Sequence, residues 1–187
     1  MATPTHVRIA AGVAAVFLAT ALGAATPRTT SDAPAPVRGR AVQNDPAVKH
    51  ADKNFIEKAA KSGLEEVEIS RVAATRTSNP DVKRFAQMII ADHESAHEEL
   101  GALASMKGVN LPAKENADRW TKRDAKSFDR EYIDKMVGDH EDTVKMFEKH
   151  AKDGTDVETV AFARKHLPKL QSHLQQASDL KRMLKNR

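Results

Sequence analysis

The chain is predicted to be all-α, a bundle of four long helices with a long crossover between the second and third. Three observations carry that expectation. Four segments beyond residue 50 repeat apolar residues at spacings of three and four, the period of a helix that buries one face. No run of alternating β-branched residues occurs beyond Ala51. Glycine and proline are confined to a few places, mostly junctions, with Gly63, Gly101, Gly138 and Pro168 inside the periodic runs.

The first helix is expected over residues 51–77, with Phe55, Ala59, Gly63, Glu66, Ser70 and Ala73 along one face. Ser78-Asn79-Pro80-Asp81 ends it and opens the second helix: Asn79 caps, Pro80 suits the first helical position and Asp81 complements the dipole. The second helix, 80–106, shows its stripe at Val82, Phe85, Ile89, His93, Ala96, Leu100 and Leu103. Lys107-Gly108-Val109-Asn110-Leu111-Pro112 stops it, and about twenty residues follow before the next strong pattern, a long connection for a compact domain. Trp120 is expected to pin a short helix there. The third long helix, 127–152, presents Phe128, Tyr132, Met136, His140, Val144 and Phe147. Thr155-Asp156-Val157-Glu158 has capping-box spacing, which starts the fourth helix at Thr155. That helix continues through Leu167, Leu170, Leu174, Ala177 and Leu180, with a kink expected at Pro168. Tight turn, long crossover and tight turn together give the connectivity of a ferritin-like four-helix bundle.

The first 49 residues read differently. One arginine precedes the small and apolar run from Ile9 to Gly23, and small residues follow it, the pattern of a secretory signal peptide over residues 1–25. The run is shorter than the ~20 residues of a spanning helix, and an uncleaved anchor is the rival reading. Residues 26–49 hold four prolines and no periodicity, which marks a flexible Pro/Ala-rich linker. The four-helix domain is assigned to 50–187. Export to the periplasm or beyond the cell follows, with membrane tethering if the leader is retained.

The chain has no cysteine, which excludes lipoprotein acylation, thiolate metal sites, thiol nucleophiles and disulfides. Any metal must be held by imidazole and carboxylate. Thirty basic and 26 acidic residues are interleaved, as expected for a solvated helical surface. Arg119, Lys122 and Arg123, and Lys181, Arg182, Lys185 and Arg187, are clusters that can touch an anionic surface. Sparse aromatics and the lack of a recognition motif argue against nucleic acid. Without a Gly-rich phosphate loop, a Gly-x-Ser-x-Gly elbow or a His-Glu-x-x-His motif, nucleotide and hydrolase readings have no support.

Glu66, His93, His140 and His173 each replace an apolar residue on a core-facing stripe, near the midpoint of each helix. Helices of this length are about 40 Å long, and the four side chains fall within roughly 5 Å of a common level. Midpoints coincide whichever way each helix runs. Three imidazoles and a carboxylate at one depth suit a divalent transition metal, with zinc, iron and copper as the candidates. A hydrogen-bonded layer that only specifies packing would place the same residues at the same depth. Asp92 and Asp139, each directly before a histidine, are candidate acceptors for a neighbouring imidazole or plain surface carboxylates. Tyr132 either donates to a buried carboxylate or packs. Glu94-x-x-His97 has di-iron spacing, but His97 lies at the stripe's edge, where exposure is expected. His50, His150 and His166 show no convergent partners in the sequence.

The segments 62–100, 128–148 and 167–180 resemble the bacterial family called "domain of unknown function 4142". Asp92-His93, Phe128-Asp129-x-x-Tyr132 and Leu167-Pro168-x-Leu170-x-x-His173-Leu174 carry the resemblance. It spans about residues 50 to 184 and implies an exported bundle of the ferritin-like superfamily, with no established activity. Ferritin-like catalysts carry Glu-x-x-His on two helices; here no glutamate stands three residues before His140 or His173. A histidine-rich mononuclear site therefore fits better than a di-iron oxidase.

Two functions lead, ahead of a redox enzyme such as an oxidase or peroxide scavenger, which would require an open coordination position and bound iron or manganese. One is metal binding in the bundle core, for metal sequestration or envelope stress protection. The other is a non-catalytic envelope module whose polar layer is structural and whose partner is an envelope protein. No catalytic residue is assigned, and the sequence sets no oligomeric state.

Overall fold

A computed structural model describes residues 49–113 and 116–186. The expected signal peptide and all but the last residue of the expected linker lie outside the described residues. The helices are α1 (His50–Arg76), α2 (Pro80–Met106), α3 (Asp118–Thr121), α4 (Phe128–Asp153) and α5 (Val157–Lys185). Among the described residues there is no strand, and no helix is long and apolar enough to cross a membrane.

The four long helices match the expected spans to within two residues at each start. The α1–α2 turn is built as the sequence implied. Asn79 Oδ1 accepts from the backbone of Asp81 at 2.9 Å and of Val82 at 3.4 Å, with Pro80 opening α2. At the other end of α2, Gly108 adopts φ 64°, a left-handed conformation that favours glycine. It lets Val109 N–H reach Ala104 O at 2.9 Å and Gly108 N–H reach Ser105 O at 3.2 Å, the two bonds of a Schellman cap. Val109 is thereby turned into the core.

The start of α5 departs from expectation. Asp156, not Thr155, is the N-cap, its carboxylate accepting from Thr159 N–H at 3.0 Å. Thr155 is instead held by Asp52 from α1, through its backbone N–H at 3.1 Å and its hydroxyl at 2.6 Å. A side chain from another helix took the role the capping box suggested. α5 is assigned as one helix across Pro168.

Helix α1 packs against α2 and α4, and α5 against α2 and α4. One apolar cluster joins the C-terminal half of α1 (Ile69, Ala73), the N-terminal halves of α2 (Phe85, Ile89) and α4 (Phe128, Ile133), and the C-terminal half of α5 (Ala177, Leu180). A second joins the opposite halves, through Phe55, Leu100, Phe147 and Phe162. Helices α1 and α5 thus point one way and α2 and α4 the other. Helices α2 and α4 are therefore parallel, and the described residues 107–113 and 116–127 belong to the crossover that parallel neighbours require.

Trp120, on α3, is buried as expected. Arg76 fastens the crossover above it, donating to Trp120 O at 2.6 Å and Arg123 O at 2.7 Å while its guanidinium lies 4.5 Å from the centre of the Phe128 ring. The two apolar clusters are separate, and the polar layer lies between them.

Candidate metal centre

His93 is the central residue of α2, and His140 stands at the middle of α4, so the period that buries their stripes also carries both rings to mid-bundle. His173 on α5 and Glu66 on α1 complete the layer. Glu66, His140 and His173 are at most 2% exposed, and His93 is buried at 8%. The three imidazole centroids form a near-equilateral triangle with sides of 5.5, 5.4 and 5.4 Å. One ring nitrogen from each lies within 4.8 Å of the other two. Glu66 Oε2 is 3.4 Å from His93 Nδ1 and 3.6 Å from His140 Nε2. All four residues read from the sequence are brought together.

Hydrogen bonds fix which nitrogens face the centre. His140 Nδ1 lies 2.9 Å from Met136 O. A carbonyl only accepts, so Nδ1 carries the proton and Nε2 keeps its lone pair. His173 Nε2 lies 2.9 Å from Asp92 Oδ2. Burial opposes the Asp92 charge, but hydrogen bonds from Lys169 and His173 hold its carboxyl below the usual range. It too can only accept, and His173 Nδ1 is left with a lone pair. Among the described residues, His140 Nε2, His173 Nδ1, His93 Nε2 and Glu66 Oε2 have no hydrogen-bond partner. Leaving such atoms buried and unpaired costs on the order of 1–3 kcal/mol each.

Burial sets the charge state. It raises the Glu66 carboxyl to about 8, helped by the nearby Asp139 charge and opposed by the Ser62 hydrogen bond. Ser62 Oγ donates to Glu66 Oε1 at 3.1 Å and lies 3.2 Å from Thr143 Oγ1. Burial and then His173 lower His140 to about 4. Burial, reinforced by His140 and His173, takes His93 well below its ordinary value. His173 is lowered by burial, with Asp92 pulling the other way. At neutral pH the layer therefore holds neutral imidazoles and a protonated carboxyl: lone-pair donors rather than ion pairs.

The two candidate acceptors separate here. Asp92 holds an imidazole, whereas Asp139 faces Lys135, which donates to it at 2.8 and 2.7 Å. Tyr132 hydroxyl meets Ser70 Oγ at 2.8 Å rather than a carboxylate. Glu94 pairs with Arg71, away from the layer.

Three histidine readings need correction. His150 is buried: its ring stacks on Phe55 at 3.8 Å, and Nε2 lies 2.9 Å from Thr159 Oγ1 and 3.5 Å from Asp52 Oδ1. Gly154 leaves room for the ring, since a Cβ there would stand 2.9 Å from His150 Nε2. His166 also has a partner, Glu99 Oε2 at 3.0 Å. His97 is only partly exposed and lines a cavity of about 50 Å³ shared with Glu66, His93, His166 and His173. The basic clusters are partly paired, Arg119 with Glu65, Arg123 with Glu131, Lys181 with Asp134 and Arg182 with Asp179.

Fold and centre together define a class: an all-helical protein with a buried cluster of three lone-pair imidazoles and one carboxyl. The model of the "Domain of unknown function (DUF4142)" family matches residues 38–180, and the chain belongs to that family. Among solved structures it is similar to a DUF305 fragment from Deinococcus radiodurans, with TM-score 0.63 and 12% identity over 73% of this chain and 99% of that one. It is also similar to CopM in its Cu(I)-bound form, with TM-score 0.62 and 20% identity over 71% and 96% of the two chains. CopM in an Ag-bound form gives TM-score 0.59 and 21% identity over 68% and 93%. At these identities the likeness concerns the fold. No curated protein matches the sequence.

Proposed function

We propose that this is an exported protein of ferritin-like architecture that binds one transition-metal ion through His93, His140 and His173, with Glu66 as a fourth ligand. Its role is metal sequestration or envelope stress protection. The observation that carries the reading is the approach of three ring nitrogens to within 4.8 Å, with lone pairs directed inward on His140 and His173.

Metal–imidazole bonds are ~2.0–2.1 Å, so two donors on one ion stand at most ~4 Å apart, and shifts of about 1 Å close the site. Such an ion would satisfy the unpaired atoms together. Copper, zinc and iron all accept imidazole. The kinship in fold with CopM, whose structures hold Cu(I) and Ag, puts copper first among the ions to test. Export rests on the leader-like residues 1–25, and the ferritin-like assignment on the long crossover between parallel α2 and α4.

The test is metal content after gel filtration of tag-free protein loaded with Cu(I) under anaerobic conditions, and separately with zinc. One retained equivalent is expected in the wild type and none in His140→Ala. A wild type that retains no metal from either load overturns the reading.

A further inference from the structure

The contact that orients His173 is repeated two turns away. Asp92 on α2 takes His173 Nε2 at 2.9 Å and Lys169 Nζ at 2.8 Å from α5. Seven residues later on α2, Glu99 takes His166 Nε2 at 3.0 Å and Lys165 Nζ at 2.7 Å. His166 precedes His173 by the same seven residues on the antiparallel helix, which sets the two contacts about 10 Å apart along the bundle. Glu99 Oε2 meets both partners, so His166 turns Nε2 to the carboxylate and Nδ1 away from it, as His173 does with Asp92.

His97 lies between these levels, one turn beyond His93 on α2. Its Nδ1 is buried and has no hydrogen-bond partner among the described residues. His97 and His166 line the same cavity as His93 and His173, with the exposed Lys169 at its edge. The His166 side chain is 16% exposed where His173 is 2% exposed, so the outer pair meets solvent and the inner group does not. A carboxylate that fixes one ring nitrogen and frees the other is the support that metal-binding histidines commonly have. Here it occurs twice in register, at the two depths of one cavity.

We infer that His97 and His166, with Glu99 as the orienting acceptor, form a second and weaker metal site, which receives the ion at the mouth of the cavity and passes it to the inner triad. This rests on the inner reading for its destination. Two imidazoles in partial contact with water bind an ion less firmly than three imidazoles and a carboxyl in a closed core, so the ion runs from weaker to stronger site. No redox change or covalent step is involved.

The experiment is an equilibrium and stopped-flow titration of tag-free protein with Cu(I) against a chromophoric competing chelator, repeated with zinc alone. Wild type is expected to bind two equivalents of one of these ions, only the tighter surviving gel filtration. His97→Ala/His166→Ala is expected to lose the weaker equivalent, keep the tighter at unchanged affinity and fill it severalfold more slowly. His166→Gln, which keeps much of the ring's volume, should slow filling without changing the melting temperature of the metal-free protein. His140→Ala should lose only the tighter equivalent. Wild-type filling rates in both His166 variants, or one equivalent only in the wild type, overturns the outer site while the inner one stands. A wild type without a tight equivalent overturns the inner reading and this one with it.

Discussion

His173 donates its Nε2 proton to Asp92 across the α2–α5 interface at 2.9 Å, and that bond decides which face of the ring is basic toward the core. Asp92→Asn offers an acceptor oxygen without the charge and an amide that competes for the ring. Metal affinity in competition titrations is expected to fall by roughly 10–100-fold with stoichiometry retained, the usual effect of removing such a support. Unchanged affinity would assign Asp92 to packing alone.

Glu66 gives the metal-free protein an unusual alkaline weakness. Its carboxyl is raised from 4.5 to about 8 by burial first and the Asp139 charge second. The folded state thus holds the proton more tightly than the unfolded chain. The stability this confers is complete below about pH 4.5 and is lost as pH rises through about 8. The loss is expected to be on the order of 5 kcal/mol. Urea midpoints of chelator-treated protein should fall between about pH 6.5 and 8, above the range in which the lowered histidines oppose the effect, and those of Glu66→Gln should not follow.

His140 acts in the opposite direction. Burial, and then His173, lowers it from 6.5 to about 4. Its contribution is present above about pH 6.5 and is lost as pH falls through about 4, because the unfolded chain takes the proton first. Acid unfolding of the metal-free protein should begin below pH 6.5. His140→Phe should flatten that limb in the same urea series.

Asp52 ties α1 to the start of α5. Its carboxylate accepts from Thr155 N–H and hydroxyl and from Asp156 N–H at 3.3 Å, with Thr159 Oγ1 at 3.4 Å. Asp52→Ala orphans these donors at a helix N-terminus and is expected to cost about 2–3 kcal/mol in chemical denaturation. Metal stoichiometry should be unaltered, since Asp52 stands at the far end of the second apolar cluster from the layer.

The helices were legible because their apolar period survives in single residues: Val82, Phe85, Ile89 and Leu100 are all buried on the stripe that named them. The four-residue layer was legible for a geometric reason, that midpoints meet whichever way helices run. Rotation about each helix axis was not. Asp92 and Asp139 both precede a histidine, yet one faces the α2–α5 seam and the other faces Lys135. His150 and Asp52 lie about a hundred residues apart and meet only because helix ends are brought together by topology. His166 looked solitary because its partner, Glu99, belongs to a helix that nothing local in the sequence sets beside it.

Dividing the interior into two separate greasy halves has a thermal consequence. Leu174 touches both clusters, but beyond it and the backbones of the long helices, little apolar contact spans the waist. An empty waist lets either end loosen by itself, broadening the melting transition. A filled one clasps the ends so that they must come apart together. The sharpness of a calorimetric peak would then register occupancy even where the midpoint moves little.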